Sequence, residues 1–277
     1  MIRLFKNIFG DDVAARQSAR VPDGERVYAV GDIHGRADLL ETLIAAIEVD
    51  DGNRPRAQTT VILLGDLVDR GPESARVIAL AREWQAQRDV RILLGNHEEM
   101  FLESFTSLDM LRHFLRHGGR DTVLSYGVDK REFTSASVSA IQQMMKDCVP
   151  VADRDFISGF SDMVRIGDYL FVHAGIEPGV PLEDQRRANL RWIREPFLSH
   201  TSSHGVVVVH GHTISDEPED NGNRIGIDTG AYDTGRLTAL LLEGEKRCYL
   251  EAVDDGGRLR TRYSPPDASP LAACAIA

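Results

Sequence analysis

Five times the chain runs through a short apolar stretch and stops on a glycine beside an Asp, Asn or His. The stops are AVGDIHG (Ala29 to Gly35), LLGDLVDRG (Leu63 to Gly71), LLGNHEE (Leu93 to Glu99), FVHAG (Phe171 to Gly175) and VVHGHT (Val208 to Thr213). Runs rich in Val, Ile and Leu and ended by turn residues predict buried strands. Each strand then delivers a polar side chain to the same edge of one sheet. Residues scattered along the sequence but gathered at strand ends describe one site, assembled by the fold itself.

The totals set bounds on what such a site can serve. With 277 residues there is room for one large α/β domain or two small ones. A net charge of −11 argues against a nucleic-acid partner, whose phosphates call for Lys/Arg patches. No apolar run approaches the ~18 residues of a membrane span. The opening Met1 to Phe9 is weakly amphipathic, but no apolar core and cleavage site follow, so it reads as a chain end rather than a signal peptide. Cys148, Cys248 and Cys274 are odd in number and widely spaced, which gives neither a disulfide framework nor a thiolate zinc site. Reduced thiols in a cytoplasmic protein are the expectation.

Strands are predicted over Arg26 to Gly31, Thr59 to Gly65 and Val90 to Gly95. Helices are predicted over Ala37 to Glu48, Glu73 to Gln87 and Glu98 to Ser107. Alternation of this kind predicts parallel pairing. Residues 108 to 160 read as a helical insertion over the site. Then come short strands, Met163 to Ile166, Tyr169 to His173, Val206 to His210, Arg224 to Asp228, Leu237 to Leu242 and Arg247 to Val253, with one helix over Leu182 to Ile193. Gly167-Asp168 and Glu243-Gly244 are hairpin signals that suggest antiparallel pairing. The domain is expected over residues 25 to 263, with an extension over 1 to 24 and a Pro-rich flexible tail over 264 to 277.

Asp32 and His34 lie two apart, with Gly31 and Gly35 letting the backbone turn so that both converge. A carboxylate and an imidazole begin a site for a divalent transition metal. Asp66 ends the second strand, and one carboxylate can bridge two cations ~3.5–4 Å apart. Asn96 adds a neutral oxygen, and His173 and His212 complete a second set. Nitrogen and oxygen ligands without thiolate suit Mn²⁺, with Fe or Zn²⁺ as further candidates. His210 and His212 compete in the last motif, and His210, still in the strand, would either point elsewhere by alternation or support a ligand from behind. His113, His117, His200 and His204 have no motif around them.

GDIHG, GDLVDRG, GNHEE, HAG and HGH, in that order, resemble the calcineurin-like metallophosphoesterases, and within them the bacterial PPP-type serine/threonine protein phosphatases, which are related to the symmetrical diadenosine tetraphosphatases. The resemblance covers residues 26 to 215. It implies a four-layer α/β/β/α sandwich of the α/β class and a hydrolase with two divalent metal ions. Asp32, His34 and Asp66 would hold one metal, and Asp66, Asn96, His173 and His212 the other. Water between two cations loses a proton near neutral pH, giving a nucleophile for in-line attack on phosphorus. His97, kept cationic by Asp69, would protonate the leaving oxygen. Arg70 offers its planar fork to the phosphate, helped by Asn96 and, as the family's second arginine, Arg194.

The stretch Gly226 to Ala231 departs from the eukaryotic protein phosphatases, which carry an aromatic overhanging the site here, and resembles the bacterial branch. The leading expectation is therefore hydrolysis of phosphoserine and phosphothreonine in proteins, with phosphotyrosine as a further target and phosphorylated small molecules as other substrates. The alternative is hydrolysis of dinucleoside polyphosphates. A nuclease is disfavoured by Arg70 and the HGHT ending, and a non-catalytic binding module by the complete ligand set.

Overall fold

The computed structural model describes residues 19–264. Two sheets face each other. The first is built on β1 (Glu25–Val30), β2 (Gln58–Leu63) and β3 (Val90–Ile92), which are parallel. They are joined by α1 (Ala37–Asn53) and α2 (Ser74–Gln85), and α3 (Asn96–Ser104) follows. Along β1, Tyr28 and Val30 point to the helices, while Val27 and Ala29 point to the second sheet. That two-residue alternation on a strand buried on both faces is why the stretch reads as continuously apolar.

Residues 108–160 form the expected insertion of α4 (Leu108–Phe114), α5 (Arg120–Ser125), α6 (Lys130–Ser135), α7 (Val138–Cys148) and α8 (Val151–Ser158). Their apolar faces extend the helix-side core through Phe114, Val123, Phe133, Ile141, Met145 and Ile157. Ser107, Asp129 and Ser137 cap α4, α6 and α7 through their side-chain oxygens, as Ser and Asp do at helix starts. Between α4 and α5 the chain kinks at Gly118, whose φ is 108°. The kink aims the Gly118 carbonyl at the Arg70 N–H, 3.2 Å away. The insertion therefore both packs the core and borders the loop that carries Arg70.

The second sheet combines β4 (Met163–Ile166), β5 (Tyr169–Val172), β6 (Val207–His210), β7 (Glu219–Asp220) and β8 (Arg224–Gly226), with β5, β6 and β8 parallel. The hairpin at Gly167-Asp168 pairs β4 with β5 antiparallel. Tyr169, Phe171, Val207 and Val209 fill the space between the sheets, while Leu170, Val172 and Val208 pack outward on Leu190 and Phe197. The outer layer holds α9 (Arg187–Trp192) and a 3₁₀ turn at Leu182–Asp184, so the single helix expected over Leu182 to Ile193 is split, with residues 185 and 186 between the two pieces. The chain then passes the short α10 (Ala231–Thr234) and returns to the first sheet. There β9 (Arg236–Glu243) pairs with β1, and β10 (Lys246–Asp254) and β11 (Leu259–Ser264) follow antiparallel. Helices, sheet, sheet and helix make four layers of an α/β sandwich.

Several edges differ from the sequence reading. β3 stops at Ile92 and α3 starts at Asn96, so Asn96 and His97 open a helix rather than close a strand. β7 is two residues long, and β11 is an exposed edge strand with arginines at 260 and 262, so neither has an apolar pattern to announce it. Residues 19–24 pack on the domain: Val21 is buried, and its N–H meets the Gly244 carbonyl at 2.9 Å. The rest of the extension, residues 1–18 with the amphipathic Met1 to Phe9, lies outside the described residues, as does the tail from residue 265. Among the described residues no helix is long and apolar enough to cross a membrane.

Candidate metal centre

The side chains of the five motifs meet at one edge of the paired sheets, and the backbone there is bent to bring them in. Among the described residues the non-glycine positions with positive φ are His34 (46°), Asp66 (49°), Asp69 (75°), Arg70 (68°) and His212 (63°). All five are site candidates. Left-handed backbone costs about 1–3 kcal/mol at such residues and persists where the surroundings over-determine it. The glycines make the approach possible. A Cβ on Gly95 would overlap the Asp66 carboxylate, and one on Gly211 would overlap that of Asp32.

Asp66 is the hub. Its Oδ2 lies 3.4 Å from His173 Nε2 and 3.6 Å from His34 Nε2. Ligand atoms gather in two groups that share it: His34, Asp66 and His97, and Asp66, His173 and His212, each within 4.8 Å. Asn96 Oδ1 sits 2.9 Å from both His173 Nε2 and His212 Nδ1. Asp32 stands beside the groups rather than inside either, its oxygens taking the His212 peptide N–H at 3.0 and 3.2 Å.

The chemistry of these donors fits divalent cations. His34 gives its Nδ1 proton to the Val68 carbonyl (2.8 Å) and His173 gives its own to the Leu64 carbonyl (2.9 Å). Each ring is thereby fixed with Nε2 turned toward Asp66, the second-layer orientation typical of metal-ligating imidazoles. Nitrogens and oxygens then face one another with little between them but acceptor atoms, and the place calls for positive charge. Burial pushes the His173 pKa down, yet Asp66 outweighs it and holds it above the ordinary histidine value. Burial pushes Asp66 up, yet His173, His97 and His34 hold it well below the usual carboxylate range. Burial, with His173 next to it, takes His212 down to about 3, which keeps that ring a neutral ligand. Burial, Asp228 and Asp66 drive Asp32 well up. Cations among these groups would relieve each conflict.

His97, a member of the first group through its ring, turns Nδ1 to Asp69 Oδ2 at 2.6 Å, both residues buried. Thr122 donates to Asp69 Oδ1 at 2.6 Å and so fixes the carboxylate. Burial lowers the His97 pKa, but Asp66 and Asp69 together raise it above the ordinary value. Arg70 points its two terminal nitrogens at His34 Nε2 (3.0 Å) and His97 Nε2 (3.2 Å).

A family model described as calcineurin-like phosphoesterase matches residues 25–239. The chain belongs to that family. It is similar to the asymmetrical bis(5'-nucleosyl)-tetraphosphatase PrpE of Oceanobacillus iheyensis, at 24% identity over 77% of this chain and 87% of that one. A symmetrical bis(5'-nucleosyl)-tetraphosphatase of Hamiltonella defensa is 38% identical over 26% of this chain, an alignment spanning 23% of that enzyme's length. Among solved structures, the cold-active protein-tyrosine phosphatase of a psychrophilic Shewanella superposes with a TM-score of 0.52 at 19% identity, covering 87% of this chain and 83% of that one.

Within this calcineurin-like phosphoesterase the arginines near Trp192 separate cleanly. Arg191 is bound to Asp162 and Glu99, both at 2.5 Å, and Arg187 to Asp162 at 3.0 Å. Arg194 is exposed, makes no ion pair among the described residues, and lies near enough for its charge to depress His212. His210 is buried against Phe197 and Arg224, away from the motif cluster. The tilted rings of His200 and His204 lie 4.8 Å apart, with His204 beside Phe197.

Three residues of the centre escaped the sequence reading. Glu98 accepts the peptide N–H groups of Asp66, Leu67, Val68 and Gly95 at 2.7–3.2 Å and ties the two ligand loops together. Its signal was a Glu in the third helical position after a turn glycine, half of a capping box. Burial and Asp66 push it up to about 7, while the four N–H groups favour the carboxylate. Tyr232, half-buried on α10, lies under the Arg70 guanidinium (4.7 Å) and against the edge of His34 (5.4 Å). So this loop does carry an aromatic against the site. Asp228 lies two residues past β8, where the strand predicted to reach it has already ended at Gly226.

Proposed function

We propose that the chain hydrolyses phosphate monoesters whose leaving group needs a proton, with phosphoserine and phosphothreonine of proteins as the substrate class. The observation that carries this reading is the buried His97–Asp69 pair beside Arg70. A serine alkoxide is a poor leaving group, and a histidine held above its ordinary pKa 2.6 Å from a carboxylate is a proton donor suited to it. Asp32, His34, Asp66, Asn96, His173 and His212 would hold two divalent cations, Mn²⁺ first, with Fe or Zn²⁺ as alternatives. Such cations, when bound, activate water and neutralise charge on the phosphoryl oxygens. The protein's own part is to orient the phosphate on Arg70 and Arg194, to hold the proton on His97, and to keep that proton available through Asp69. We propose a cytoplasmic setting on the cysteine argument alone.

A second reading, hydrolysis of dinucleoside polyphosphates, has its own observation. The rings of His117, His113 and Trp192 succeed one another at 4.2 and 6.5 Å along the rim, near Arg116. Such faces stack nucleobases, at about 1–3 kcal/mol each, and names of relatives spanning most of the chain support it.

The test sets His97→Ala against the unaltered chain, both loaded with Mn²⁺. Turnover of a phosphoserine peptide should fall ~10²–10⁴-fold, that of p-nitrophenyl phosphate far less, and Mn²⁺ affinity should hold. Equal losses would remove His97 from the acid's role, and lost metal would make it a ligand. Diadenosine tetraphosphate cleaved in preference to the peptide would replace the first reading with the second.

A further inference from the structure

Asp228 is 1% exposed, and no described residue donates to its Oδ2, which is itself inaccessible. The other oxygen is satisfied by the Gly230 N–H at 2.9 Å. β8 pairs in parallel with β6, so Ile227 and Asp228 leave the sheet at the edge where His210 leads to His212. Gly31 faces Ile227 and Asp228 so closely that a Cβ there would overlap the Ile227 carbonyl. The Asp228 carboxyl thereby comes close enough to Asp32 for its charge to push the Asp32 carboxyl up. Both groups are acceptors when ionised, and the Asp32 oxygens already share the His212 peptide N–H. An unpartnered carboxylate oxygen sealed from water destabilises the fold unless positive charge stands by it.

We propose that Asp228 is a metal-binding carboxylate of the same centre, joining Asp32 in holding the cation on the His34 side. The motif set does not name it. The inference rests on the two-metal reading above and adds one residue to it.

The experiment is calorimetric titration of Mn²⁺ into the full chain, stripped with chelator, as unaltered protein and as Asp228→Asn. Asparagine keeps the shape and the acceptor for the Gly230 N–H while removing the charge. The unaltered chain should bind two cations. In Asp228→Asn one site should weaken tenfold or more, the other should stay within twofold, and the metal-free melting temperature should not fall. Two unchanged sites would overturn the proposal. So would a variant that folds only when Mn²⁺ is supplied, or failure of both Asp228→Asn and Asp228→Ala to fold, since either assigns Asp228 to structure. An unaltered chain that binds fewer than two cations would instead sink the two-metal reading itself.

Discussion

The two ends of β1 treat buried charge in opposite ways. At its start Arg26 is 1% exposed and fully engaged on its two terminal nitrogens: Asp51 at 2.6 Å, Glu243 at 2.7 Å and the Pro55 carbonyl at 2.8 Å. Asp51 also takes Thr59 and Arg88, while Asp50 takes Tyr28 and Arg54. At the other end, past Gly31, carboxylates face imidazole nitrogens and one another, and five residues sit in left-handed backbone. In the first arrangement each buried charge meets an opposite charge of the protein itself, and only Arg26 Nε and Arg88 Nε lack an acceptor among the described residues. The second is strained and short of positive charge, which is what a centre built to hold cations requires. Burial by itself does not separate structure from function here; the state of the partners does.

The sharpest way to break this contrast is to neutralise the hub. Asp66→Asn should abolish turnover, a loss on the order of a thousandfold or more, beyond the 10–100-fold typical of groups one layer outside a metal. Calorimetry should record weaker binding at both sites, because both groups share Asp66. Loss at one site only would mean that Asp66 does not bridge. Its metal-free stability should fall at neutral pH, because a carboxylate that His173, His97 and His34 hold below its ordinary pKa stabilises the fold while ionised.

Arg26→Ala is the mirror experiment. Removing one member of a buried ion network costs about 3–5 kcal/mol, and denaturant unfolding should register it. The kcat per folded molecule should be unchanged, because the site lies at the far end of the strand. A variant as stable as the parent would show that Arg54 and Arg88, which already touch Glu243 and Asp51, take over both acids.

What the sequence made legible follows the same division. Motif residues at strand ends could be read because apolar runs announce strands and glycines announce sharp turns. Asp66, His34 and His173 accordingly fall together. Glu98 was harder: its identity matters only through four peptide N–H groups from two loops more than 25 residues apart in the sequence, or at its own helix start. Tyr232 and Asp228 were missed because their significance lies in what they approach, Arg70 and Asp32, across the whole length of the domain. The helix over Leu182 to Ile193 was over-read because the Arg-rich stretch around Arg186 and Arg187 lacks an apolar stripe, with Leu190 alone buried in α9. Local pattern reports elements; convergence of distant loops it reports only where a motif is already distinctive.

The smallest expected effect probes the border between the satisfied and unsatisfied sides, where Asp69 serves both. Its Oδ1 is tied to Thr122 and its N–H to Ser74 and Thr122, a structural set, while Oδ2 holds His97. An acid catalyst works only while protonated, so turnover of an alkyl phosphate should fall as pH rises through the His97 pKa. Asp66 and Asp69 raise that pKa against burial, so they carry the active range to higher pH. Asp69→Asn removes one of the two raising charges and keeps most of the geometry. The alkaline limb of kcat for a phosphoserine peptide should therefore move to lower pH, by about one unit for each ~1.4 kcal/mol of lost interaction. Well below the limb, where His97 is protonated in both proteins, the rates should converge. p-Nitrophenyl phosphate, whose leaving group needs no proton, should show no such displacement. A limb that stays in place on the peptide would mean that Asp69 orients His97 without setting its charge, and would move the pair to the structural side of the comparison.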